Sequence, residues 1–462
     1  MAPAPPAIDF LLAVFRAYAA DEAIAWRDRA LTFGDLDRAI AAAVDALRAA
    51  GVGPGAIVAL EADFSPQGIA YLLALFAHGA IVVPLAPASA PRHAELRRIA
   101  QVEWRVRIDA DDRVTIARAT APGAAPATHP LYDALRAAGH PGLVLFTSGS
   151  AGEPKAVLHD AVRLLAKYRT PRHRLRTVLF LLFDHIGGFD TLLQALSNAS
   201  TVIVPAERTP DAVCAAVARH RAEVLPAAPS FLGLLLLAGA PARFDLSSLR
   251  YVTYGAEAMP QATLERMHAA FPGVTLLQKY GLTELGTLRS RSSSDASLWV
   301  KIGGEGFRTR VVDGLLEIQA ESSMLGYLNA PSPFTADGWF RTGDAVEVRG
   351  EYFRILGRAS DIINVGGQKV YPAEVESAIA ELDNVAEAVV FGEPHPFTGA
   401  IVAARVALAK DEDARAFERR LRAHLRTRLA PYAVPARVEV VPPGQGTGLV
   451  TARDKKFRKG DA

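Results

Sequence analysis

Residues 143–155 read Leu-Val-Leu-Phe-Thr-Ser-Gly-Ser-Ala-Gly-Glu-Pro-Lys: a short apolar strand signal running into a loop of hydroxyls, glycines and one lysine. Small residues let backbone N–H groups turn inward around phosphate oxygens, hydroxyls donate to them, and the lysine balances charge. Thr147, Ser148, Gly149, Ser150, Gly152 and Lys155 are therefore candidate phosphate contacts. The spacing is not that of a Walker A loop, which needs Gly, four residues, then Gly-Lys-Ser/Thr. A plain Gly/Ser linker is the competing reading of this stretch alone.

Around the loop, helical periodicity alternates with short buried strands. Thr32-Phe-Gly-Asp35 has the form of a capping box, and Leu36, Ile40, Val44 and Leu47 then line one helix face before Gly51. Apolar runs at 57–60, 81–85, 178–183 and 201–204 read as buried strands, so the opening part predicts an α/β fold of doubly wound sheets. After about residue 290 the strands shorten and turns multiply; 290–297 reads as a serine-rich loop. Beyond Arg358 a separate pattern of helix, strand, strand, helix and strand runs over 373–441, enough for a small α+β domain. The expected division is 1–359 for a large N-terminal domain and 360–462 for a small mobile one, joined by a hinge at 359–361.

Composition narrows the partners. Half of the 462 residues are apolar and 22% charged, and the net charge is +2, so no broad basic field for nucleic acid is present. The one cysteine, Cys214, excludes an internal disulfide or a multi-cysteine zinc cage and reads as a core residue. The N-terminus carries no cationic lead into an apolar run, and the most apolar stretch, 224–242, contains three prolines and reads as a buried loop and helix too short to span a bilayer. A cytoplasmic protein without stable membrane insertion is expected.

Three further stretches follow in order: Tyr280-Gly-Leu-Thr-Glu284; Trp339-Phe-Arg-Thr-Gly-Asp344 with Gly357-Arg358; and Ile363-Asn-Val-Gly-Gly-Gln-Lys-Val-Tyr-Pro-Ala-Glu-Val-Glu376. Together with 147–155, and with Gly314–Ile318 and Gly326-Tyr-Leu-Asn329, they resemble the motifs of the adenylate-forming superfamily of acyl- and aryl-CoA ligases, luciferases and peptide-synthetase adenylation domains. The likeness extends from residue 143 nearly to the end of the chain. Ala151 and Ala156 depart from its usual threonine and glycine.

The resemblance implies activation of a carboxylic acid by ATP with Mg2+ and transfer to the thiol of CoA. It implies that the loop holds the β- and γ-phosphates, that Glu284 holds Mg2+, and that Thr283 donates to the α-phosphate. Tyr280 would stack on adenine over a floor of Gly255, Ala256 and Glu257, while Asp344 and Arg358 would take the ribose. Gly366 and Gly367 would line the thiol passage, and Lys455, with Lys456 as the fallback, would bridge carboxylate and α-phosphate. Phe183-Asp-His-Ile-Gly-Gly188 makes His185 a candidate pocket gate, an ordinary core histidine being the other reading. Ile186, at the position where amino-acid-activating relatives carry an aspartate, disfavours an ammonium-bearing substrate, unless the alignment slips onto Asp184. Gly187, Gly188, Gly255, Ala256, Leu282, Leu285 and Gly286 form an expected apolar pocket floor suited to an aliphatic or aryl acid. A free-standing adenylation enzyme loading a carrier protein and a non-catalytic nucleotide-binding homologue are the alternatives.

Overall fold

The computed structural model describes residues 7–120, 127–147, 153–294, 297–304 and 306–444. Ser148, Gly149, Ser150, Gly152, Lys455 and Lys456 lie outside the described residues.

Two seven-stranded sheets form the larger part. In one, the strands Thr275–Gln278, Tyr251–Tyr254, Val224–Ala227, Thr177–Val178, Val202–Val204 and Glu22–Trp26 run parallel, with Arg29–Thr32 antiparallel at the edge. In the other, Gly142–Thr147, Ile81–Leu85, Ile57–Glu61 and Trp104–Ile108 are parallel, and Lys155–Asp160 with Gly326–Tyr327 extends one edge antiparallel. The helices Phe33–Ala49, Pro66–Ala77 and Ile186–Leu196 share one apolar core with both sheets, through Ile24 and Val202 on one side and Val58, Leu60 and Val82 on the other. Parallel strands buried on both faces explain why those runs are almost wholly apolar.

The local signals behave as chemistry dictates. Thr32 accepts from the Asp35 amide while the Asp35 carboxylate accepts from the Thr32 amide, so both halves of the capping box form. Leu36, Ile40 and Leu47 are buried, with Ala43 rather than Val44 completing the face. Three expectations shift. Of 178–183 only the first residue is in a strand, Thr177–Val178. Ser290–Ser292 is a strand rather than a loop. The stretch 224–242 is a strand, a helix Pro229–Leu237 and a short helix broken by left-handed Gly239, with Leu234 and Leu237 exposed. Among the described residues no helix is long and apolar enough to cross a membrane. Cys214 is buried, and burial pushes its thiol up to about 11.

A third, antiparallel sheet of six strands ends at Tyr352–Arg358, and a short turn, Ala359–Asp361, leads to a five-stranded sheet of its own core. The large N-terminal and small C-terminal parts touch where the Gln261 amide donates to Ser377 Oγ (3.1 Å) and Arg266 Nη2 to the Ala380 carbonyl (3.3 Å).

Candidate active site

Thr147 and Lys155, the two ends of the sequence-predicted phosphate loop, stand opposite each other in adjacent antiparallel strands. The loop's second leg is pinned from a distance: Asn329 Nδ2 donates to the Pro154 carbonyl (2.8 Å) and Asn329 Oδ1 accepts from the Ala156 amide (2.9 Å). Ala156 is fully buried, so its methyl replaces the family's glycine without disturbing that bond. Lys155 is half-buried, its Nζ 5.3 Å from the centre of the Tyr327 ring. A cation over an aromatic face is attracted by the ring quadrupole.

The same Tyr327 donates its hydroxyl to Glu284 Oε1 at 2.8 Å, and burial followed by the Glu284 charge drives its phenol far above the ordinary range. Glu284 and its neighbour Thr283 are both buried. Two main-chain contacts fix their segment: the Met324 amide donates to the Glu284 carbonyl (2.8 Å), and His159 Nε2 donates to the Thr283 carbonyl (2.7 Å). Because a carbonyl only accepts, that histidine nitrogen carries the proton. Burial pushes the wholly buried His159 down to about 4. Among the described residues no cluster of three His, Cys, Asp or Glu offers a preformed metal cage. Glu284 is instead a single oriented carboxylate, which fits Mg2+, an ion that takes its remaining ligands from phosphate and water.

Tyr280, Asp344 and Arg358 are brought together. The Tyr280 hydroxyl donates to Asp344 Oδ2 (2.5 Å), and Arg358 Nε lies 3.1 Å from Asp344 Oδ1 across the rung that pairs the two residues in adjacent strands. Burial raises the Asp344 carboxyl above its ordinary value, with Arg358 pulling the other way. Each carboxylate oxygen keeps a lone pair for a further donor, the requirement of a diol such as ribose.

The acyl side departs more from expectation. His185 is the N-cap of Ile186–Leu196, its ring accepting from the Gly187 amide (3.2 Å), so its helix-capping place is as much structural as gate-like. Ile186 and Leu285 are core residues. A Cβ on Gly188 would lie 2.2 Å from the Leu182 carbonyl, and one on Gly286 3.2 Å from Leu164, so these two small residues serve close packing rather than an open floor. Gly255 likewise meets the Lys279 carbonyl at 2.5 Å. Ala256 is exposed at a left-handed φ of 73°, and the Glu257 carboxylate accepts from the Ser230 amide (2.7 Å) at the start of the helix Pro229–Leu237. Asp184 is buried and accepts from Ser89 Oγ (3.0 Å).

Sequence reasoning missed His159, Asn329 and the Tyr327 hydroxyl. All three act through partners more than 40 residues away, and only the quoted Gly326–Asn329 stretch pointed near them. In the small domain, Gly366 and Gly367 form the left-handed tip of an exposed hairpin, Ile363–Val365 with Gln368–Val370.

Comparison with known proteins identifies the family. The AMP-binding enzyme family model matches residues 13–313, and the AMP-binding enzyme C-terminal domain matches 374–448. A methyl-dioxo-octahydroindenyl propanoyl:CoA ligase of Mycobacterium tuberculosis is 32% identical, over 90% of this chain and 90% of its own. A feruloyl-CoA synthase of Amycolatopsis is 30% identical over 93% and 94%. The structure of an anthranilate CoA ligase bound to anthranoyl-AMP superposes with a TM-score of 0.80 at 21% identity, covering 98% of this chain and 96% of the other, which shows a shared fold. The chain belongs to the AMP-binding enzyme family and is an acid–CoA ligase that uses ATP, Mg2+ and CoA.

Proposed function

We propose that this ligase activates an aliphatic or aryl carboxylic acid as its acyl-adenylate at the Lys155, Glu284, Tyr280 and Asp344 constellation, then passes the acyl group to the CoA thiol. The observation that carries the reading is the continuity of that constellation: Tyr327 joins Lys155 to Glu284, and Asp344 joins Tyr280 to Arg358. ATP with Mg2+ supplies an electrophilic α-phosphate and a pyrophosphate leaving group. Attack on it by a carboxylate gathers negative charge, which oriented donors and cations must offset.

Lys155, Thr147, Ser148, Ser150 and the amides of Gly149 and Gly152 hold phosphate oxygens in this reading. Glu284, whose carboxylate accepts from the Tyr327 hydroxyl, would hold Mg2+, and Thr283 would donate to the α-phosphate. Tyr280 presents its ring to adenine beside Gly255, Ala256 and Glu257, and Asp344 with Arg358 binds the ribose. His185 borders the acid's entry, and Lys455 bridges carboxylate and phosphate during adenylation. Residues 1–359 then act as the adenylating domain and 360–462 as the mobile one, whose Gly366–Gly367 tip lines the thiol path. The exposed tip supports a pose in which the thiol path is not yet assembled. A cytoplasmic location accords with the lack of disulfide chemistry.

Pyrophosphate release over a panel of carboxylic acids, with and without CoA, tests the reading. Acid-dependent release with CoA-dependent AMP turnover is expected. Turnover stimulated only by a phosphopantetheinylated carrier protein would assign the carrier-loading alternative, and no release with any acid would favour a non-catalytic homologue.

A further inference from the structure

Lys167 and Tyr168 occupy a short turn, Ala166–Arg169, one short helix beyond the strand Lys155–Asp160. The Lys167 ammonium reaches two elements at once. It donates to Asp190 Oδ1 (2.5 Å) on the helix Ile186–Leu196, and to the Thr287 carbonyl (2.8 Å) on the strand Gly286–Thr287. The buried Tyr168 donates its hydroxyl to the same Asp190 oxygen (2.7 Å). Burial opposes the Asp190 charge, but Lys167 holds the carboxyl below its ordinary value.

Both ends of this bridge lead into the site. Gly286–Thr287 pairs antiparallel with Gly281–Leu282, Thr287 standing opposite Gly281, and the Leu288 amide donates to the Tyr280 carbonyl (2.9 Å). Thr283 and Glu284 lie in the connection of that hairpin, so a hold on Thr287 is a hold on its base. The helix starts from its cap, His185, which borders the acid's entry in the reading above. With only 22% and 19% of their side-chain surfaces exposed, Lys167 and Asp190 lose in hydration much of what they gain by attraction. What the pair supplies is direction: ammonium, carboxylate and carbonyl fix distances that apolar packing would let drift.

We infer that Lys167 and Asp190 are positioning residues of adenylation: their pair locks the helix capped by His185 to the hairpin that carries Thr283 and Glu284, so that acid and MgATP meet in one fixed relation. This rests on the adenylation reading above. The pair acts through His185 on one side and through Thr283 and Glu284 on the other. A lapse in that relation slows the step that joins carboxylate to α-phosphate, where small misplacements of reacting atoms are costly. It matters little once the acyl-adenylate exists, because the two reactants are then one molecule.

The two half-reactions, measured separately in the full-length protein, test this with Lys167→Met, Asp190→Asn, the two together, and Tyr168→Phe. Each single change at the pair strands a charge and should lower the melting temperature. The double variant is neutral, its asparagine still accepts from Tyr168, and it should melt near the wild type. Pyrophosphate release with the best acid of a panel should nevertheless fall about thirtyfold or more in the double variant, while thioester formation from that acid's pre-made adenylate falls less than about threefold. Tyr168→Phe should slow release several-fold and leave thioester formation unchanged. A double variant that recovers release along with stability, or one in which both half-reactions fall alike, overturns the inference while adenylation stands. Should the double variant fail to fold, Tyr168→Phe decides, and equal effects on its two half-reactions overturn the inference. If the wild type releases no pyrophosphate with any acid, the adenylation reading fails and this inference falls with it.

Discussion

The Tyr327 hydroxyl donates to Glu284 while its ring lies beneath the Lys155 ammonium, so one side chain ties the phosphate-loop lysine to the proposed magnesium carboxylate. Tyr327 reaches this place because Gly326–Tyr327 pairs with Lys155–Asp160, register Tyr327 to Val157. Removing the hydroxyl should loosen Glu284 without emptying the core. Tyr327→Phe is expected to raise the Mg2+ concentration for half-maximal pyrophosphate release several-fold and to cut kcat/KM about tenfold, a hydrogen bond to a charged group being worth about 1.5–3 kcal/mol. An unchanged Mg2+ dependence in the folded variant would show that Glu284 does not rely on Tyr327.

Asp344 illustrates a residue held at some cost to stability. Its carboxyl is buried and raised above the 3.8 of an ordinary aspartate despite Arg358. A raised carboxyl stabilises the fold below the unfolded value, and that contribution is lost as pH rises through the folded one. Asp344→Asn should therefore match the wild type near pH 4 and equal or exceed its melting temperature at pH 7–8, while the KM for ATP rises at least tenfold. If the variant instead becomes less stable than wild type as pH rises, pairing with Arg358 outweighs burial.

How much of this was legible before the structure depends on the reach of each contact. Tyr280, Asp344 and Arg358 announce themselves because the stretches that carry them resemble motifs of the adenylate-forming superfamily. Asn329 and His159 do not, because their partners lie 173 and 124 residues away, and neither side chain is unusual for its element. The same limit explains Ser290–Ser292, which has weak strand propensity and is held by pairing with Val300–Ile302. In 178–183 an apolar run reads as one strand, whereas only its start is paired and the rest turns toward His185. Apolar content reports burial, and pairing partners decide the rest.

In the proposed mechanism the two half-reactions call for two arrangements of the small domain. The turn Ala359–Asp361 carries exposed Ser360, whose hydroxyl donates to Asp361 (2.9 Å), and the Gly366–Gly367 tip faces solvent. Ser360→Pro fixes φ near −65°, close to that of a 3₁₀ turn, and should hold this pose. Adenylation, read by hydroxylamine trapping, should fall less than tenfold, and thioester formation from pre-made acyl-adenylate more than a hundredfold. Lys455→Ala should do the reverse. Equal rates for both half-reactions with proline at 360 would move the pivot elsewhere.

His159 couples acid stability to the site. It is wholly buried, and its neutral ring donates through Nε2 to the Thr283 carbonyl, the residue before Glu284. Burial lowers it from 6.5 to about 4, so the folded state resists the proton that the unfolded chain accepts. The sign follows: the stabilisation is complete above pH 6.5 and is lost as pH falls toward 4, at up to about 1.4 kcal/mol per unit. Chemical denaturation at intervals between pH 7.5 and 4 should show that slope in the wild type and a flatter one in His159→Gln. Glutamine keeps an N–H donor, so at pH 7.5 it should preserve adenylation better than His159→Leu, which leaves the Thr283 carbonyl unpaired. A wild-type slope retained in His159→Gln would assign the acid sensitivity to other groups, and equal activity of the glutamine and leucine variants would remove the hydrogen bond from any role in positioning Thr283 and Glu284.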